Sequence, residues 1–186
     1  MCQTIPVANT SSKETVEVRE RSWPEVHALD ELRLLTEFLT FLRITAVNKV
    51  AGLDRSKAVA TPWPTSPKMS MLGVIQHLTA VERWWISNVG GGSDLPTLYW
   101  DDDEPDTDFK IPEDATPASV IAAYEAEWAR SDAALAGMRP SDKAKLKFRD
   151  QDRTVRWILT HLIQETARHV GHLDVLREFA DGQRGE

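Results

Sequence analysis

The sequence predicts an all-α protein, a single bundle of four helices, and three observations carry that prediction. Four stretches repeat apolar residues at three- and four-residue steps, the spacing of one helix face. Serine, threonine, aspartate, proline or glycine stands where each stretch should begin or end. No run alternates apolar and polar residues for long enough to build a sheet, and no segment of the chain repeats another. At 186 residues the chain suits one domain with an ordinary core.

Residues 1–22 are polar, unpatterned and short of large apolar groups, and read as a flexible tail before a domain over 23–186. From Asp30 the pattern changes. Leu32, Leu35, Leu39, Leu42 and Ala46 form a stripe that Leu34, Phe38 and Phe41 widen, giving a first helix that stops near Gly52. The proline-rich segment after it, AVATPWPTSPKMS, cannot continue a helix. Ser70 then offers an N-cap for a second helix, which Gly90, Gly91 and Gly92 end. Its inward face should hold Val74, His77, Val81 and Trp84, so a histidine sits among apolar residues.

The stretch 90–115 is rich in glycine, proline and aspartate, longer than the usual connection between helices, and able to cross the bundle. Its acidic run 101–104 lacks the glycine and the closing glutamate of a calcium loop and reads as solvated. Thr116 and Pro117 open a third helix through Val120, Tyr124, Trp128 and Leu135 to Gly137. Residues 139–153 are polar and charged, as in a turn or short hairpin, and Thr154 caps the fourth helix.

That last helix, TVRWILTHLIQETARHVGHLDVLREFA, carries three of the five histidines. At about 100° per residue, His161, Glu165, His169 and His172 lie within a fan of about 80°, beside Leu162, Leu173 and Leu176. An apolar stripe turned inward would take imidazoles and a carboxylate with it, and such groups need partners. Glu165 and His169, at i and i+4, can converge on one divalent ion. With His77 from the second helix they make a three-donor set that leaves positions for water or substrate, as catalytic sites do. His161 and His172 compete for the same roles, as ligands, as partners behind the ligands or as general bases, and spacing does not rank them. Trp84 and Trp85 read as packing. Arg156, Arg168 and Arg177 could bind an anionic substrate, but Arg168 and Arg177 have nearby acids such as Glu165, Asp174 and Glu178 to pair with, and solvated or structural ion pairs are the default.

Composition narrows the partners. A net charge of −7 and an isoelectric point near 5.3 argue against nucleic acid or an anionic membrane. The one cysteine, Cys2, rules out an intramolecular disulfide and fits a reducing, cytoplasmic setting; no apolar run reaches the length of a membrane span or forms a signal peptide. No phosphate-binding glycine loop, Cys-x-x-Cys pair or nucleophile elbow is present. Exposed bundle faces would allow a homodimer.

Two segments, SMLGVIQHLTAVERWW and TVRWILTHLIQETARHVGHLDVLREFADG, resemble the DinB/YfiT-like superfamily, and within it the DUF664 (mini-circle protein) branch found largely in actinobacteria. The resemblance runs from about Leu32 to Gly185. It implies an up-down-down-up bundle in which the second and third helices are parallel, joined by the long crossover. It also implies a divalent metal, zinc first and nickel second, held by His77, Glu165 and His169. Many members have two histidines at the last two positions; mycothiol-dependent maleylpyruvate isomerase is similar to this chain in using a glutamate and a histidine. His172 stands where relatives carry glutamine. Members use low-molecular-weight thiols such as mycothiol and bacillithiol. The expectation is therefore a metal-dependent enzyme that activates a mycothiol-like thiol for S-transfer to, conjugation with or isomerisation of a small electrophile, with His161 or His172 moving the proton. The alternative is a non-catalytic small-molecule-binding or resistance bundle with a structural metal or none. A role in DNA damage rests only on the superfamily's name, and the acidic balance weighs against it.

Overall fold

The computed structural model describes residues 15–25, 29–104 and 106–185, so Cys2 and His27 lie outside it. Among the described residues the protein is all-α, with no strand beyond two isolated bridges. Helix α1, Glu31–Val50, starts where Asp30 accepts a hydrogen bond from the Arg33 amide. A short α2, Arg55–Ala58, is capped by Asp54 inside the proline-rich connection. Helix α3, Met71–Glu82, starts at Ser70 and runs on as a π-helix, Arg83–Gly90. A 3-10 turn, Thr107–Phe109, interrupts the crossover. Helix α4, Pro117–Leu135, opens with a capping box between Thr116 and Ser119. Helix α5, Val155–Asp181, is capped by Thr154 and ends at Gly182, whose φ of 80° suits glycine. No helix among the described residues is long and apolar enough to cross a membrane.

Two findings depart from the sequence reading. The buried stripe runs through Leu78, Glu82, Trp85 and Val89 at three- and four-residue steps, and Val81 is only partly buried. Trp85 is buried, while Trp84, expected inward, is 36% exposed. The tail expected over 1–22 lies outside the described residues as far as position 14, and from Val16 it is tied down. Val16 is buried and its carbonyl oxygen accepts from the Gly52 amide at 2.9 Å. The Arg19 amide donates to Asn48 Oδ1 at 2.7 Å, Asn48 Nδ2 donates to the Arg19 carbonyl at 2.9 Å, and the Arg19 guanidinium pairs with Glu125. One buried apolar side chain and paired backbone groups are what a short extended strap needs to stay in place.

The core is in two apolar clusters. One gathers Ala46, Val47, Val50, Leu72, Ile75, Leu78, Ile121, Tyr124, Val170 and Leu173. The other gathers Leu39, Trp85, Ile86, Leu135, Ile158, Leu159 and Leu162. Along α3 and its π continuation, and along α4, the first cluster precedes the second; along α1 and α5 the order is reversed. Between them in sequence on each helix come buried polar residues: Arg43 and Thr45, Thr79 and Glu82, Glu127 and Ser131, Thr166 and His169. Arg43 and Glu82 form a two-pronged ion pair with both side chains 3% exposed. Arg83 and Arg130 neutralise the fully buried Glu127. Each buried charge thus has a counter-charge.

Candidate metal centre

Helices α3 and α5 pack so that His77 faces the turn of α5 carrying Glu165 and His169. His77 Nε2 lies 3.4 Å from Glu165 Oε1, and His169 Nε2 lies 3.2 Å from the same oxygen. One atom of each residue can be chosen so that all three fall within 4.8 Å of one another. Donors held tetrahedrally at about 2.0–2.1 Å from one zinc ion stand about 3.3 Å apart, so both separations to Glu165 already have the required size.

Proton counting points the same way. Each nitrogen of the His77 ring faces a carboxylate, Nδ1 at 2.6 Å from Asp108 Oδ2 and Nε2 toward Glu165. A neutral imidazole carries one N–H and satisfies one of these oxygens. The other contact needs a second proton or a cation. A carboxylate behind the ligating histidine is the arrangement by which metal sites fix an imidazole's tautomer and direction. The three residues and Asp108 therefore fit a divalent metal.

Electrostatics matches this geometry. Hydrogen bonds from His169 and then His77 hold the Glu165 carboxyl well below the usual carboxylate range, against the opposing effect of partial burial. Burial works against charge on His77, but the contacts with Asp108 and Glu165 outweigh it and raise its pKa above the ordinary imidazole value. For His172, burial and then the neighbouring His169 and Arg168 charges lower the pKa.

The other predicted residues fall in distinct places. His172 stands beside the cluster, Nδ1 to Nδ1 at 3.4 Å from His169, with Trp63 edge-on to its ring. His161 is one turn before Glu165, and its ring contacts among the described residues are with Trp157, stacked at 5.2 Å, and Trp85, edge-on at 4.9 Å. Arg156 pairs with Glu31. Arg177 pairs with Asp181 and donates to the Lys49 and Ala51 carbonyls at the end of α1. Glu165 is turned to the two histidines instead of to Arg168.

Sequence reasoning missed Asp108, and Phe109 stacked on the His77 ring at 4.7 Å. Both belong to the aperiodic crossover, and Asp108 is 31 positions from the histidine it touches, so no local spacing signals the pair.

An all-α chain whose two facing helices bring a histidine, a glutamate and a second histidine together has a donor set that could hold a divalent cation. Residues 34–182 match the mycothiol-S-transferase family model, and the chain belongs to that family. No curated protein matches the sequence. The matched span takes in all three donors, Asp108, His161 and His172. Membership points to mycothiol-related S-transfer with the thiol as cosubstrate.

Proposed function

We propose that the protein is a metal-dependent enzyme that joins the sulfur of mycothiol, or a closely similar low-molecular-weight thiol, to a small electrophile. The observation that carries this reading is the convergence of His77 Nε2, Glu165 Oε1 and His169 Nε2 in a chain of the mycothiol-S-transferase family. The order in which the long helices meet the two apolar clusters supports the up-down-down-up course implied by the resemblance.

His77, Glu165 and His169 would hold the ion, zinc before nickel, and its charge would lower the pKa of a thiol beside it. The chain's own residues do the rest. Asp108 keeps the proton of His77 on Nδ1 and leaves Nε2 free to act as a donor. Glu165, ionised across the working range, keeps the cluster from accumulating excess positive charge. His172, whose depressed pKa keeps it neutral near pH 7, can accept the His169 Nδ1–H on its own Nδ1 and so leave His169 Nε2 free as a donor, and the proton passes to solvent as the thiol S–H breaks. The sulfur lone pair forms the new S–C bond, and the displaced group leaves with the electrons of the bond that breaks. When the electrophile is an unsaturated carbonyl compound, that pair moves onto the acceptor, which takes the proton back. His161, one turn before Glu165, has its ring against Trp85 and Trp157. Because the nucleophile arrives with the cosubstrate, the helices need no cysteine, and a reducing cytoplasm suits the thiol.

Alanine at His77 or His169 tests the assignment. Each variant should lose zinc and thiol binding while keeping its helix content by circular dichroism. Tight metal retention in both overturns the assignment.

A further inference from the structure

The crossover supplies Asp108, and α3 holds that part of the crossover in place through three residues at helical spacing, Gly73, Gln76 and His77. At Gly73 a Cβ atom would stand 2.9 Å from the Phe109 carbonyl oxygen, so the close approach requires glycine. Gln76 is 3% exposed, and its Nε2 donates to two backbone carbonyls, Asp108 at 2.8 Å and Lys110 at 2.7 Å. Both hydrogens of the amide are thereby used on the residues flanking Phe109. His77, the next residue along α3, receives Phe109 on its ring and Asp108 on Nδ1.

We propose that Gln76 is a positioning residue of the metal centre: by pinning the backbone on either side of Phe109 it sets Asp108 against His77 Nδ1 and so aims His77 Nε2 at the donor cluster. The inference rests on the reading that His77, Glu165 and His169 hold a divalent metal. The chemistry is directional. An ionised carboxylate only accepts, so Asp108 fixes the proton on Nδ1 and leaves the lone pair on Nε2. A carboxylate on a loop does this only while the loop backbone is fixed. Two hydrogen bonds from a buried amide on the adjacent helical position fix it where the side chain departs. Gln76 lies one position from His77, so one turn of α3 carries both the ligand and the clamp for the ligand's partner.

The test is zinc affinity of the full-length, metal-free protein, measured by competition with a chromogenic chelator. Asp108→Ala should weaken binding by about 10- to 100-fold, the usual cost of losing a carboxylate behind a ligating histidine. Gln76→Met, similar in size but without donors, should weaken it by about tenfold. The Gln76→Met/Asp108→Ala double variant should bind no more weakly than Asp108→Ala alone, because Gln76 acts through Asp108. Hydrogen exchange at the Phe109 and Lys110 amides should accelerate in Gln76→Met while the amides of α3 keep their protection. Gln76→Glu, which turns a carboxylate toward the two carbonyls, serves as a second variant with the same expected directions. Unchanged affinity in both Gln76 variants, or losses that add in the double variant, overturns the positioning role and leaves the metal site standing. Failure of the wild-type protein to bind zinc overturns the metal reading and this inference with it.

Discussion

Replacing Arg43 with methionine removes the guanidinium that pairs with Glu82 and leaves a carboxylate with almost no access to water. Arg43 Nε donates to Glu82 Oε2 at 3.1 Å, and a second nitrogen engages Oε1. Asp132, the other acid near Arg43, is 65% exposed and contributes little. Breaking a buried pair by deleting one partner costs about 3–5 kcal/mol. With an unfolding entropy of about 2.1 cal/mol/K per residue over 186 residues, the midpoint should fall by about 8–13 °C. Burial already pushes the Glu82 carboxyl up, with Arg43 opposing it. Without Arg43 the folded protein favours the protonated acid more strongly than the unfolded chain does, so the deficit should shrink as the pH falls toward the unfolded-state carboxyl value. The Arg43→Met/Glu82→Leu double variant removes both charges and should come within about 1 kcal/mol of wild type. Thermal and urea unfolding followed by circular dichroism read all three proteins. A single variant within about 1 kcal/mol of wild type, or a double variant as unstable as the single, would refute the reasoning.

Three further outcomes follow from the site. Zinc affinity should fall as the pH drops through the raised His77 pKa, because the ion needs the unprotonated ring; equal affinity at pH 8 and pH 5.5 by chelator competition would contradict this. Gly73→Ala should weaken zinc binding while keeping helix content, since the added methyl displaces the turn that carries Asp108; wild-type affinity would show that the turn's position does not matter. Zinc at about 100 times its dissociation constant should stabilise the metal-free protein by about 2.7 kcal/mol, an increase of about 7 °C in Tm, and a Tm indifferent to zinc would count against a folded-state site.

The helices were legible because their signals are local. Asp30, Ser70, Thr116 and Thr154, read from sequence as helix starts, each accept a hydrogen bond from the amide three residues on. Glu165 and His169 are neighbours on one helix, and an inward-facing His77 followed from the apolar residues around it. The π-helix left no such mark. Which of the two adjacent tryptophans turns inward was not legible either, since each extends a stripe at helical spacing, and Trp85 is the buried one. The strap from Val16 and the turn bearing Asp108 depend on contacts across 29 and 31 positions, and neither segment has a periodic pattern. Nothing local singles out Gln76, because its partners are backbone carbonyls that no sequence pattern marks.

The measurement closest to the centre of these claims is a mycothiol titration of protein purified without a metal-affinity tag. Elemental analysis comes first, and the titration is repeated after chelation and after zinc or nickel is returned. Near-stoichiometric metal, and thiol binding that disappears with the ion and returns with it, is the expected result. A protein that arrives without metal and takes up neither ion, or that binds mycothiol equally well without one, would contradict the assignment of His77, Glu165 and His169.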